Sequence, residues 1–350
     1  MASTQIQKVR DTHIDCVKGI GIVLVVFGHN VLLAEYGGFL FRFIYAFHVP
    51  LFFYLSGIFF DPKVSFGKMI QAKSKTLLLP YVIVSMLQVV ARKAAYGDYD
   101  IKNAISNHVY ATGETIHLVT TWFLPLLFLV FCFSWVVFNV IKNRNDIYLY
   151  VASLLFAILG YYSIHFFKGS SIHIFGYNVS NVGLPWSGDL LLIASFFFVS
   201  GYITKKNSLL FLYKSNVLAM ASFLVMILVV YFKITHTDMN IREYNNVLLN
   251  SIVALCGVCF VFWLSHKISA CSMKANNILM KIGRSTLFIL LFHSNIQAAV
   301  IKMSPFAAIN KYVVGMIALA MGVVAPIWIE RSITYIIGML PKRSPAQDAA

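Results

Sequence analysis

Hydrophobic residues form long runs along almost the whole chain, and these runs predict membrane-spanning helices. Each run is close to the ~20 residues that a helix needs to cross ~30 Å of hydrocarbon. The alternation of apolar and polar residues that marks a membrane β-barrel is absent, so the spans are predicted to be helical. We expect an all-α integral membrane protein, a bundle of about ten transmembrane helices. The ten predicted spans are 17–35, 40–60, 77–95, 122–141, 147–167, 187–204, 217–235, 247–266, 284–302 and 312–335.

The overall composition agrees with a membrane protein. Of 350 residues, 59% are hydrophobic and 12% are charged, whereas a soluble domain has about 25% charged residues. No linker or low-complexity stretch interrupts the chain. We therefore expect residues 1–350 to form a single polytopic membrane domain, with its core at about 14–335 and short tails in the cytoplasm.

Lysine and arginine are unevenly shared between the two sets of loops. If the N-terminus is cytoplasmic, 17 of them lie on that side and 8 lie on the opposite side. Cytoplasmic loops carry the excess of basic residues in membrane proteins. The pattern predicts a multi-pass protein with both termini in the cytoplasm. We expect its membrane to be the bacterial cytoplasmic (inner) membrane.

The net charge of +15 follows largely from this topology, so we expect the lipid bilayer as a partner and no nucleic acid. The remaining basic surface is a candidate for binding a polyanionic cytoplasmic ligand. Cys256 and Cys259 form a C-x-x-C pattern inside an apolar helix without a second ligand pair, so no metal site is predicted.

The first span, within "DCVKGIGIVLVVFGHN" (15–30), carries a histidine deep in an apolar segment. His29 lies eleven positions after Lys18, so both lie on one stripe of the helix, about 16 Å apart. An ionisable group at such depth faces the bundle interior or a water-filled cavity, and suggests function. The alternative is a neutral histidine that bonds to a neighbouring helix.

Two further histidines lie within predicted spans. His48 is expected at about the same depth as His29, which favours a shared site, although a structural hydrogen bond beside Pro50 would also explain it. His293 lies near the middle of its span and could face the same cavity; for this residue a structural role is slightly favoured.

Five segments resemble motifs of one known family, in that family's order. They are "DCVKGIGIVLVVFGH" (15–29), "FHVPLFFYLSG" (47–57), "KTLLLPY" (75–81), "TWFLPLLF" (121–128) and "LFILLFH" (287–293). Together they resemble the acyltransferase-3 family of membrane acyltransferases, and most of all its fucose 4-O-acetylase-like branch. The resemblance covers about residues 14–300, and it includes the basic-x10-His pattern of Lys18 and His29.

This resemblance implies an O-acyltransferase that uses acyl-CoA, usually acetyl-CoA, to acylate a cell-surface or secreted glycan or its lipid-linked precursor. His29 matches the family's essential histidine and Lys18 its basic partner. His48 is a second catalytic candidate, which would position the acceptor or share the proton transfer. The family often has arginines before the third helix, where this chain has lysines. The residues expected to bind the donor are Lys18, Lys73, Lys75, Lys205 and Lys206.

Two questions stay open at the level of sequence. His29 could deprotonate the acceptor hydroxyl, or it could carry the acyl group itself. A transporter or flippase for a polysaccharide or small solute is the alternative function, because ten helices with buried histidines would suit one. An approximate echo exists between "LFFYLSGIF" (51–59) and "SFFFVSGYI" (195–203), but the flanking residues do not repeat clearly and both segments run in the same direction.

Overall fold

The protein is almost entirely helical, as the hydrophobic runs predict. The computed structural model describes residues 12–97, 99–142, 144–174, 177–180, 183–303 and 310–339. These residues form two compact units. The terminal unit contains the described residues up to Leu33 and from Asn277 onward, and the central unit contains those from Ala34 to Asn276.

Fourteen α-helices and two small hairpins make up the described part of the chain. The α-helices are α1 (Thr12–Gly28), α2 (Phe39–Tyr45), α3 (His48–Ile58), α4 (Phe66–Lys73), α5 (Leu79–Tyr96), α6 (Ile101–Tyr110), α7 (Phe123–Ile141), α8 (Ile147–Phe167), α9 (Leu191–Lys206), α10 (Asn216–Tyr231), α11 (Val247–Cys271), α12 (Met273–Arg284), α13 (Thr286–Lys302) and α14 (Lys311–Met339). The antiparallel hairpins pair β1 (Ser171–Ile174) with β2 (Tyr177–Ser180), and β3 (Thr237–Asp238) with β4 (Glu243–Tyr244).

Seven helical stretches in the described residues are long and apolar enough to cross a membrane. The bent pair α12 and α13, with an angle of 83° between its helices, raises the number to eight if it forms one span. The protein is therefore a multi-pass membrane protein. The predicted count of about ten is not confirmed, because the remaining two predicted spans correspond to α1 and α10, which have only 17 and 16 residues. The seven stretches are Phe39–Ile58, Phe66–Ala95, Val119–Ile141, Ile147–Phe167, Pro185–Lys206, Val247–Cys271 and Lys311–Ile336.

The first helix ends well before the predicted edge of its span at residue 35. α1 stops at Gly28, and turns follow it. The side-chain oxygen of Asn30 accepts hydrogen bonds from the backbone N–H groups of Leu32 and Leu33, each at 3.2 Å. Such local bonds give the backbone an alternative to the helix. The apolar run at 31–34 is therefore a turn segment, which hydrophobicity alone could not show.

Two similar segments pack closely together in the central unit. A β-carbon added at Gly57 of α3 would lie 1.8 Å from the carbonyl oxygen of Phe198, and one added at Gly201 of α9 would lie 2.0 Å from that of Tyr54. The segments 54–57 and 198–201 share the pattern Tyr/Phe-x-Ser-Gly. In each contact, the glycine of one segment packs against the backbone of the aromatic residue that begins the other segment. Small residues allow this close approach between membrane helices. Helix packing therefore accounts for the sequence echo between residues 51–59 and 195–203.

We predict that Gly57→Ala destabilises the protein. Its methyl group meets a backbone oxygen that cannot rotate away, so the helices have to separate, at a cost of about 1–3 kcal/mol or more. Gly67→Ala is the control, since a β-carbon there has no neighbour within 4 Å. Thermal unfolding of the detergent-purified proteins measures the effect. Equal midpoints for the two variants would show that α3 and α9 tolerate separation.

A fully buried ion pair joins two loop regions of the central unit. Arg242 follows strand β3, and its Nε lies 3.0 Å from a carboxylate oxygen of Asp189, with both side chains 0% exposed. Asp189 also accepts the backbone N–H of Leu184, and Arg242 donates to the backbone oxygen of Asn240. These bonds satisfy the charges, which would otherwise be costly to bury. The pair holds the β3–β4 hairpin against the segment that leads into α9.

Asp238, in the β3–β4 hairpin, is a carboxyl group that burial makes hard to ionise. Burial, with a smaller contribution from the nearby Glu243 and Glu114 carboxylates, raises the pKa of Asp238 to about 6. The backbone N–H groups of Asn240 and Ile241 oppose this rise. Glu243 is its cross-strand partner. The folded protein thus holds this proton more tightly than the unfolded chain does.

We predict that Asp238→Asn changes how stability depends on pH. Because the folded-state pKa is raised, Asp238 lowers the free energy of unfolding progressively as pH rises from about 4 to 6. Above pH 6 the loss stays constant, at about 3 kcal/mol or less. The melting temperature of Asp238→Asn minus that of the wild type should therefore increase across this window and then level off. Asp61→Asn, at an exposed aspartate, serves as the control. A difference that stays constant from pH 4 to 7 contradicts the prediction.

Candidate active site

His29 lies directly after the last residue of α1, in the terminal unit. Its Nδ1 is 2.9 Å from the backbone oxygen of Val25. A carbonyl oxygen can only accept a hydrogen bond, so Nδ1 carries the proton. In the neutral ring, Nε2 then holds the lone pair. The backbone of α1 therefore sets His29 in the tautomer whose Nε2 can act as a base.

His293 of α13 lies against His29 in the same unit. The two ring centroids are 5.3 Å apart, with an edge-to-face angle of 79°. His293 is completely buried, and its Nδ1 lies 2.7 Å from the backbone oxygen of Ile289. Both imidazoles are thus held in the same tautomer by their own helices. The sequence slightly favoured a structural role for His293, but the structure makes it the neighbour of the proposed base.

A pair of buried amides fixes the backbone next to the two histidines. Asn30 donates from Nδ2 to Oε1 of Gln297 at 2.7 Å and to the backbone oxygen of Gly315 at 2.8 Å. Gln297 donates in turn to the backbone oxygen of Val26 at 2.9 Å. These bonds connect the end of α1 with α13 and α14. The sequence reading overlooked both amides, although Gln297 lies one helical turn after His293 and Asn30 directly follows His29.

The opposite end of α1 contacts α12 through backbone atoms. β-Carbons added at Gly19 and Gly283 would lie 2.1 Å and 1.8 Å from the backbone oxygens of Leu279 and Asp15. The Asp15 carboxylate pairs with Nε of Arg284 at 3.2 Å. Arg284 is a cation that the sequence reading did not place near the predicted site.

Lys18 is half-buried on this same end of α1. Helix geometry separates it from His29 by about 16 Å along the axis. This distance is too long for a direct hydrogen bond between the two side chains. The structure thus places one cation and one imidazole at opposite ends of α1, as their spacing predicts.

His48, the second predicted catalytic residue, begins α3 in the central unit. It is 5% exposed, its Nδ1 is 3.0 Å from the backbone oxygen of Ile44, and its ring contacts Tyr45 edge-on with a centroid distance of 4.6 Å. Its Nε2 therefore also keeps the lone pair. A role for His48 in catalysis stays a prediction.

The four other predicted donor-binding lysines belong to the central unit and differ in their surroundings. Lys73 lies over the Phe131 ring at 3.8 Å from its centroid, and Lys205 lies 5.8 Å from that of Phe59. Lys206 forms an ion pair with Asp146. Lys75 is exposed in the π-helical turn after α4. Among the residues that the structure describes, no three His, Cys, Asp or Glu side chains are grouped to hold a metal ion.

The comparison with protein families identifies the chain. Residues 11–331 match the model of the family Acyl_transf_3, described as an acyltransferase domain. The chain belongs to the acyltransferase-3 family. It is a membrane acyltransferase, and the matched region of this family includes His29, His48 and His293. No match was found among the curated proteins or among the solved structures.

We predict that Gln297→Met lowers both stability and acyl transfer. Methionine keeps the size of the side chain but cannot accept from Asn30 or donate to Val26, which costs about 1–3 kcal/mol in a buried site. The end of α1, which carries His29, then loses a restraint. Gln71→Met on the exposed face of α4 is the control. Unfolding midpoints and transfer rates are compared at equal protein levels. An unfolding midpoint and a transfer rate of Gln297→Met equal to those of the wild type would contradict a role of the amide pair in positioning the end of α1.

Proposed function

We propose that this acyltransferase is an O-acyltransferase, most simply an O-acetyltransferase. It would move an acyl group from cytoplasmic acyl-CoA to a hydroxyl of a cell-surface or secreted glycan, or of its lipid-linked precursor. The observation that carries this proposal is the contact of the half-buried His29 with the buried His293, with Nδ1 of each ring bonded to its own helix. Such a pair offers a base for the weakly acidic hydroxyl of a sugar.

The transfer step follows from the tautomer of His29. Nε2 accepts the proton of the acceptor hydroxyl while the hydroxyl oxygen attacks the thioester carbonyl carbon. The tetrahedral intermediate then collapses, its carbon–sulfur bond breaks, and the CoA sulfur leaves with the proton that His29 gives back. The products are the O-acyl ester and free CoA, and His29 returns to its neutral form. Transfer through an acyl-imidazole on the same Nε2 is the alternative route.

His293 is proposed to position His29 and to tune its protonation. An edge-to-face contact between the two rings restrains both of them. When His29 takes the proton, the neutral ring of the buried His293 lies beside it, with the two ring centroids 5.3 Å apart. Its loss therefore changes both the geometry of the base and the pH at which the base works.

The donor and acceptor roles of the remaining residues are proposed from charge and position. CoA is anionic, and the basic loops are predicted to be cytoplasmic, in a bacterial cytoplasmic membrane with both chain ends inside. Lys18, Lys73 and Lys75 are proposed to contact the donor as point charges. His48 is proposed to position the acceptor. The segment shared by α3 and α9 has a role in their close packing.

We predict that His29→Gln lowers acyl transfer by about 10²–10⁴-fold, the usual contribution of a general base. Glutamine can form hydrogen bonds but cannot accept a proton near neutral pH. His165→Gln is the matched control, because exposed His165 forms the same Nδ1 bond to a carbonyl four residues earlier. Transfer of radiolabelled acetyl groups from acetyl-CoA to glycan is measured in membranes with equal protein levels. Near-normal transfer by His29→Gln would falsify the role of His29 as base.

The same assay tests His293. We expect His293→Gln to lower transfer less than His29→Gln does and to shift its pH–rate profile. A purely structural role would lower the rate by the same factor at every pH. An acyl group that stays on the wild-type protein after a denaturing quench, but not on His29→Gln, would favour the acyl-imidazole route.

A further inference from the structure

A cavity of about 400 Å³ lies in the central unit where three helices end or begin. It is bounded by the C-terminal ends of α7 and α9, by the start of α8, and by the turn after α3. Its size is within the range of small-molecule sites, about 300–1,000 Å³. The sequence predicts that these three helix ends and the turn lie on the cytoplasmic face.

The rim of this cavity is strongly basic. Lys63, Lys142, Arg144 and Lys206 line it, against one carboxylate, that of Asp146. Asp146 is already paired with Lys206. Among the lining residues, three of the four cations therefore have no lining carboxylate to balance their charge. This excess of positive charge suits a ligand with several negative charges. Arginine binds phosphate through two parallel hydrogen bonds, and lysine acts as a point charge.

The floor of the cavity is aromatic and apolar. The rings of Phe138 and Tyr202 meet edge-to-face, with centroids 4.4 Å apart. Phe138 and Leu149 are each 5% exposed, so this surface lies below the rim. The side chain of Asn139 also lines the cavity. A basic rim over an aromatic floor fits a ligand with phosphates at one end and a planar base at the other.

We propose that this cavity binds the phosphorylated nucleotide end of the acyl-CoA donor. Lys63, Lys142 and Arg144 contact its phosphates, while the adenine packs on the half-buried ring of Tyr202, which the buried Phe138 supports. This inference rests on the proposed function, since it names the donor site of that reaction. A phospholipid headgroup shares the phosphate chemistry, but it has no planar base for the buried aromatic floor.

This assignment agrees only in part with the donor-binding lysines predicted from the sequence. Lys206 lines the cavity, whereas Lys205, Lys73 and Lys75 are not among its lining residues. The sequence did not predict Lys63, Lys142 and Arg144 as donor contacts. The turn after α3 and the loop between α7 and α8 are far apart in the sequence, so their proximity depends on the tertiary structure.

The test measures equilibrium binding of CoA to the full-length protein in nanodiscs of phosphatidylcholine. Lys142→Gln combined with Arg144→Gln should weaken CoA binding by about 10-fold or more and reduce its salt dependence. Lys102→Gln, at an exposed lysine of α6, should bind CoA as the wild type does. CoA binding that Lys142→Gln with Arg144→Gln leaves unchanged overturns the proposal.

The aromatic floor is tested with a second ligand and a conservative variant. Tyr202→Ala should weaken binding of CoA but not of 4′-phosphopantetheine, which lacks the nucleotide, and Tyr202→Phe should keep the wild-type affinity. Equal effects on both ligands overturn the assignment of the nucleotide. If phosphatidylglycerol in the nanodiscs displaces CoA from the wild type and Tyr202→Ala has no effect, the cavity is a headgroup site instead.

These outcomes separate the site from the reaction. A wild-type protein that binds no CoA at all contradicts the donor of the proposed function. CoA that binds the wild type and the rim variants equally contradicts only this cavity, and leaves the chemistry of His29 as proposed.

Discussion

A buried polar group in a membrane protein has to find its hydrogen-bond partner inside the protein, and this constraint acts on the buried His48 and His293 and on the half-buried His29. Hydrocarbon offers no partner to an exposed N–H or C=O group. His29, His48 and His293 meet the constraint in the same way, through a bond from Nδ1 to the carbonyl oxygen four residues earlier. This one bond satisfies a backbone carbonyl oxygen and also fixes the tautomer of the imidazole. In each neutral ring, Nε2 then carries the lone pair.

Close backbone packing is the second consequence of a membrane environment. Lipid tails are as apolar as leucine, so helices gain little from burying leucine against each other and depend on fit instead. In the terminal unit, Gly19 and Gly283 bring α1 and α12 together; in the central unit, Gly57 and Gly201 do so for α3 and α9. These contacts are between backbones, which makes the position of each helix along its neighbour well defined. The base proposed at the end of α1 depends on such a fixed helix position.

Rigidity around His29 has a direct chemical meaning for an acyltransferase. The base and the two substrates have to meet within hydrogen-bond distance at one point, and small displacements reduce the rate strongly. Asn30 and Gln297 restrain the backbone on either side of the imidazole pair. The ion pair of Asp15 with Arg284 restrains the opposite end of the same helix. α1 is thus held at both ends within its unit.

The sequence by itself determined the helical class and the membrane environment, and it singled out His29 as the proposed base, because these depend on local composition and on the spacing of residues along one helix. Lys18 and His29 share a stripe of α1 for the same reason. Only the tertiary structure decided that His293, Gln297 and Arg284 come to α1, and that Lys63, Lys142, Arg144 and Lys206 surround one cavity. The periodicity of a helix shows which face is polar, but not which other helix that face meets. That choice depends on packing between segments far apart in the chain, such as the contact of His29 with His293.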